Sequence, residues 1–153
     1  MQVTIEPEDA KSPWEVTAVY IDDRKCEYLG SSSRMVWGDG QYAVKLESEN
    51  DANRLNQTLA EVVTWLRIEE QDQPYFAALY DYGTINGMHY TVQEQLNGEE
   101  DHDCDWYDQA FKLFTKYKLI DFRREQYLVV NGMLKIHDYG FIPYEDREEV
   151  YAE

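Results

Sequence analysis

"YLVVNGMLKIHDYGF", residues 127–141, is the stretch whose reading decides the rest of the chain. Two short apolar runs meet at Asn131-Gly132, a dipeptide that takes positive φ at little cost and so favours a two-residue hairpin. The second run ends on Asp138-Tyr139-Gly140. The pattern reads either as a hairpin followed by an ordinary turn, or as a hairpin that holds Asp138 out toward a metal and a phosphate. Two more turn dipeptides of the same kind lie upstream. Asp39-Gly40 joins "SSSRMVWG" to "QYAVKL", and Asn86-Gly87 joins "FAALYDYGTI" to "MHYTVQEQL". Alternation in "QYAVKL" sets Tyr42, Val44 and Leu46 on one face and Ala43 and Lys45 on the other, so Lys45 projects from a strand.

Two segments carry helical spacing instead. In "SENDANRLNQTLAEVVTWLRIEE", Leu55, Leu59, Val62 or Val63, and Leu66 form the apolar stripe, with Glu61 on its flank. Ser48, Asn50 or Asp51 can cap its start by accepting from the free amides there. In "DWYDQAFKLFTKYKLI", Trp106, Ala110, Leu113, Phe114 and Tyr117 share one side. Asp105 or Asp108 near the start and Lys116 and Lys118 near the end suit the helix dipole. The order is strands, helix, strands, the acidic link "NGEEDHDCD", helix, hairpin and a short acidic tail, which predicts an α+β fold.

Bulk composition bounds the function. A chain of 153 residues, 43% hydrophobic and 14% aromatic, has the size and the apolar content of one folded domain. Its 31 acids against 14 bases give a formal charge of -17, a field that repels nucleic acid and anionic membrane and favours basic partners. No run reaches the roughly 18 apolar residues of a membrane helix. The two cysteines, Cys26 and Cys104, are too few for a disulfide framework, and no signal-like segment opens the chain. A cytoplasmic setting is the expectation, that of the host if the chain is viral.

Taken together, these pieces resemble the protein-kinase-like fold from about Tyr28 to Phe141. "YLGSSSRMVW" looks like the first strand, phosphate-covering loop and second strand, with Gly30, Ser31, Ser32, Ser33 and Arg34 in the loop. "YAVKL" looks like the strand bearing the family's lysine; the resemblance makes Lys45 the partner of the α and β phosphates, beside Ala43, and Glu61 the carboxylate that holds it. "HYTVQEQL" looks like the strand that leads to the adenine-binding backbone, at Gln93 to Gln95. "LIDFRREQYLVVNGMLKIHDYG" resembles the catalytic and metal-binding loops. Asp121 falls on the catalytic acid, Gln126 stands five residues on where the family has Asn, and Asp138-Tyr139-Gly140 replaces Asp-Phe-Gly.

The resemblance implies a truncated kinase-like architecture in one domain, with residues 1–97 like the strand-rich lobe and 98–153 like a much reduced second lobe. It implies ATP and magnesium as ligands, with Asp138 and Gln126 on the metal and Asp121 as the base. Leu119 and Ile120 stand where the family has His and Arg. Only 13 residues follow Gly140 (153 − 140 = 13), which leaves no room for an activation segment and makes nucleotide binding the expected property, ahead of phosphoryl transfer.

Other readings stand beside this one. The acids could make the chain an interaction protein of pseudokinase type that captures a basic host protein, in the limit by imitating DNA, as small acidic phage proteins do by analogy. A halophile origin would also account for them. "DHDCD", residues 101–105, offers His102, Cys104 and carboxylates, but not at zinc-ligand spacing. His89 and His137 fall in expected strands, and nothing in the sequence brings a Cys-His pair together. Tyr75, Tyr80, Tyr82 and Tyr144 sit near Pro or Gly turns and are expected at the surface.

Overall fold

The computed structural model describes residues 1–31, 34–47, 57–101 and 103–140. The fold is α+β and divides into two compact units, Met1–Thr58 with Leu79–Gln95, and Leu59–Ala78 with Leu96–Glu153. The segment Leu59–Ala78, which the sequence reading left with the residues before 98, thus belongs to the second unit.

The first unit opens with three strands, β1 (Val3–Glu6), β2 (Ala18–Ile21) and β3 (Arg24–Lys25), paired antiparallel in that order. Val3 lies opposite Ile21, and Ile5 opposite Val19. Asp22 and Asp23, both at positive φ, make the tight turn from β2 to β3. A second sheet holds β4 (Glu27–Ser31), β5 (Met35–Gly38), β6 (Tyr42–Glu47), β7 (Leu79–Ile85) and β8 (Met88–Glu94), in the order β4-β5-β6-β8-β7.

Both expected hairpins of this sheet form. The Asp39 side chain accepts from Gln41 N and Tyr42 N, which fixes the β5–β6 turn, and Asn86 and Gly87 both take positive φ between β7 and β8. Each outer strand carries a register shift, between Tyr28 and Gly30 in β4 and between Leu79 and Asp81 in β7. Val44, Leu46, Trp37, Met88 and Val92 pack with Val3, Ile5, Val19, Ile21 and Cys26 into one apolar core. The face of β6 assigned to Val44 and Leu46 by alternation is therefore the core face. Glu47, at the end of β6, accepts from the backbone N–H groups of Gln57 and Thr58, each at 2.9 Å, at the start of the helix α1 (Gln57–Arg67). The cap residues expected for that helix lie outside the described residues.

In the second unit, α1 buries Ala60, Glu61, Val62 and Thr64, while Leu66 is 75% exposed. The stripe expected through Leu66 is therefore rotated, so that Glu61 takes a packed position and Leu66 faces solvent. The helix α2 (Cys104–Lys116) is capped by Asp103, whose carboxylate accepts from Asp105 N, and it buries Ala110 and Phe114 as its spacing predicts. The strands β9 (Tyr127–Val130) and β10 (Met133–Ile136) form the hairpin of the opening stretch, with Asn131 and Gly132 at positive φ. Phe76, Phe114, Tyr127, Leu134, Ile136 and Tyr139 make the core. Burial of each such side chain contributes about 1.5–3 kcal/mol.

Two features tie the loops of this unit down. Asp72, in the 3₁₀ turn Glu70–Tyr75, accepts from Lys116 Nζ at 2.6 Å and from the Tyr117 hydroxyl, while Glu69 N donates to that hydroxyl oxygen. Gly98 lies against β9, where a Cβ would meet the Val129 carbonyl oxygen at 2.6 Å and Val130 Cγ2 at 2.7 Å.

Gly98→Ala must push β9 or the link aside, and it is expected to cost about 1–3 kcal/mol in a urea unfolding titration. A second expectation concerns acid. Hydrogen bonds from Lys116 and then Tyr117 hold the Asp72 carboxyl below its ordinary value. Its contribution to stability is present above the ordinary carboxylate range, about pH 4, and is lost as pH falls through the depressed folded value. Asp72→Asn should therefore be less stable than the wild type at neutral pH, with the difference in denaturation midpoint closing only in acid. A constant difference down to pH 2 would contradict this assignment.

Candidate functional site

The face of β6 opposite the apolar core is polar and buried. Ala43 lies opposite Gly38 on one side and Gln93 on the other, and Lys45 lies opposite Val36 and Thr91. Partners directly across an antiparallel pair share a face, so Ala43, Lys45, Thr91 and Gln93 form one surface. Lys45 is 6% exposed, Gln93 1% and Thr91 0%. Thr91 Oγ1 and Gln93 Nε2 have no hydrogen-bond partner among the described residues. Leaving a buried donor unpaired costs about 1–3 kcal/mol, and native interiors rarely do so without cause. Two such groups at alternate positions of one strand share a face with the buried lysine.

The other expected nucleotide-binding residues take varied positions. The backbone of Gln93 pairs with β6 at Ala43 and with β7 at Leu79. Gln95 lies just past β8; its N–H donates to Gln41 O at 2.9 Å, and its side-chain oxygen accepts from Gly40 N at 2.8 Å. That side chain also fills the space over Gly38, where a Cβ would meet Gln95 Oε1 at 2.2 Å. Gly30 and Ser31 were expected in a loop but belong to β4, opposite Val36 and Met35. Pairing satisfies their backbone groups and shortens the connection. Gly30 has φ of 140°, the conformation its lack of a Cβ permits at the register shift. Ser32 and Ser33 lie outside the described residues.

The second unit holds the remaining candidates. Glu61 is fully buried in α1, and its Oε2 accepts from Tyr139 N at 3.3 Å. The Tyr139 hydroxyl donates to Ala77 O at 2.7 Å, and its ring meets Phe76 edge-on at 5.4 Å. The triplet Asp138-Tyr139-Gly140 is thus anchored by its middle residue, with Asp138 half-buried beside it. Gln126 is buried; its side-chain oxygen accepts from Arg123 N at 2.6 Å and its backbone oxygen from His137 N at 2.9 Å. Asp121 is exposed at positive φ, with Oδ2 3.4 Å from Arg123 Nη2.

No three His, Cys, Asp or Glu side chains among the described residues form a group that could hold a metal ion. This donor set fits magnesium only in the form in which one carboxylate, here Asp138, shares the ion with phosphate oxygens and water. Thiol chemistry finds little footing. Burial pushes the Cys26 thiol up to about 11, followed by the charge of Asp39, and keeps it protonated at neutral pH. Cys104 is exposed as the first residue of α2.

Thr91 is the candidate that the sequence reading missed. The signal was present in "HYTVQEQL": Thr91 and Gln93 alternate, and so must share whatever face Gln93 occupies. No protein-family model matches the chain, and no curated protein matches it in sequence.

Tyr139→Phe removes the bond to the buried Ala77 carbonyl and should cost about 1–2 kcal/mol in denaturant unfolding, with the fold retained. A neutral result would mean that this hydroxyl does not anchor the triplet.

Proposed function

We propose that the chain is a reduced protein-kinase-like protein that binds a nucleotide, with ATP and magnesium as the ligands. The observation that carries this reading is the polar face of β6 and β8, where Lys45 is buried opposite Thr91 and next to Gln93. A lysine ammonium is a compact point charge suited to phosphate oxygens. Gln93 Nε2 and Thr91 Oγ1, without a partner among the described residues, offer hydrogen bonds to a heterocyclic base. Ala43, on the same face, is the small residue that the resemblance sets beside the adenine ring.

The second unit is read from its own residues. The anchoring of Tyr139 by Glu61 and Ala77 O gives Asp138 a fixed backbone origin, as a metal-binding carboxylate requires. Magnesium there would neutralise phosphate charge. The Gln126 amide oxygen already accepts one bond from Arg123 N, so Asp138 is the principal ligand from the chain. Asp121, exposed beside Arg123, stands where the resemblance puts the base, and the proposal concerns binding ahead of transfer.

Isothermal titration of ATP with magnesium tests the reading. Heat of binding in the wild type, lost in Lys45→Ala and in Asp138→Ala and weakened in Gln93→Leu, is the expected outcome, with the fold of each variant checked by circular dichroism. Absence of heat in a folded wild type, or full affinity in a folded Lys45→Ala, overturns the proposal.

A further inference from the structure

Trp14 is 71% exposed, the most exposed aromatic side chain among the described residues. Its backbone is nonetheless held at many points. Pro13 opens the 3₁₀ turn Pro13–Glu15 and is itself buried, as are Ala10, Ser12 and Val16 around it. Glu15 accepts from Lys11 N at 3.1 Å and from Ser12 Oγ at 3.0 Å, while Val16 N donates to Pro13 O. Asn86 Nδ2 donates to both Glu8 O at 2.7 Å and Ala10 O at 2.9 Å, which pins the approach to the turn against the β7–β8 hairpin of the same unit. The turn is thus built like a pedestal, with an indole left standing in water on top.

An exposed tryptophan costs solubility and gains nothing for the core, so a rigid mount for one has the form of a binding anchor. The surrounding charge says what it would bind. Residues 6–15 hold four acids, Glu6, Glu8, Asp9 and Glu15, against one base, Lys11, and all five are exposed. A guanidinium stacks on an indole face through cation–π attraction and pairs with carboxylates through its fork of donors, so both features select the same ligand group. Lysine meets the charge requirement but stacks less well.

We infer that the turn around Trp14 is a docking surface for an arginine-bearing basic segment of a partner protein, with the indole as the stacking platform and Glu8 and Asp9 as its acidic rim. This surface lies in the first unit and owes nothing to the nucleotide reading.

The test uses a fluorescently labelled hexa-arginine peptide, with fluorescence anisotropy read at low and physiological salt on the full chain. The wild type should bind, Trp14→Ala should weaken binding by about tenfold or more, and Trp14→Phe by less. The double variant Glu8→Gln, Asp9→Asn should lose affinity mainly at low salt. Because Trp14 buries little, Trp14→Ala should keep the wild-type unfolding midpoint. Phe111→Ala, at an exposed aromatic of α2 in the second unit, serves as the control. The proposal is overturned if the peptide does not bind, if Trp14→Ala binds as the wild type does, or if Phe111→Ala loses as much, since that last result would reveal diffuse attraction to a chain of charge -17.

Discussion

Strand β6 is hydrogen-bonded on both edges, to β5 and to β8, and this double pairing governs the first unit. A strand so held cannot slip by one residue without turning every side chain to the wrong face. Val44 and Leu46 are committed to the apolar core, and Ala43, Lys45 and Glu47 to the other side. The neighbours follow suit: Trp37 and Val92 join the first set, Thr91 and Gln93 the second. The placement of the polar atoms of Thr91 and Gln93, which have no partner among the described residues, is therefore a consequence of register, held by the same bonds that build the core. Their cost is offset by the apolar burial on the opposite face, where each large side chain contributes about 1.5–3 kcal/mol.

The second unit is organised around one aromatic residue. Tyr139 is fully buried, yet it offers two polar groups, a backbone N–H and a hydroxyl, and both are satisfied, by Glu61 and by Ala77 O. A buried carboxylate is costly unless donors meet it, so the bond from Tyr139 N helps Glu61 as much as it fixes the triplet. Phe76, packed edge-on to both Tyr117 and Tyr139, links this arrangement to the Asp72 and Lys116 cluster at the end of α2. Asp138, the metal residue that the resemblance implies, thus sits beside a well-anchored tyrosine whose packing extends to the far helix end.

Much of this was legible in the chain because a few residue types have narrow preferences. Asp39-Gly40, Asn86-Gly87 and Asn131-Gly132 each marked a hairpin that forms, since few other residues accept positive φ so readily. Tyr75, Tyr80 and Tyr82 reach the surface as their turns suggested, and Tyr144 lies outside the described residues. The sheet β1–β3 was harder to see: its strands are short, and its turn is made by Asp22-Asp23, which carries no glycine. Leu66 illustrates the limit of periodicity. Several registers of an apolar stripe fit α1, and only the tertiary neighbours choose the one that buries Glu61 and exposes Leu66. The buried hydroxyl of Thr91 was hidden for a related reason, because local pattern assigns a face but does not say what covers it.

The register shifts in β4 and β7 bear on how the molecule meets its own copies. An outer strand is a row of unpaired N–H and C=O groups, ready to template a strand from another chain. Here both outer strands of the five-stranded sheet are kinked, one beside Gly30 and the other beside Tyr80, which breaks the even spacing a docking strand would need. Tyr28, Leu29, Tyr80 and Tyr82 lie exposed on those strands, where an even edge would favour strand addition. The register shifts leave growth by strand addition without an even edge from which to start.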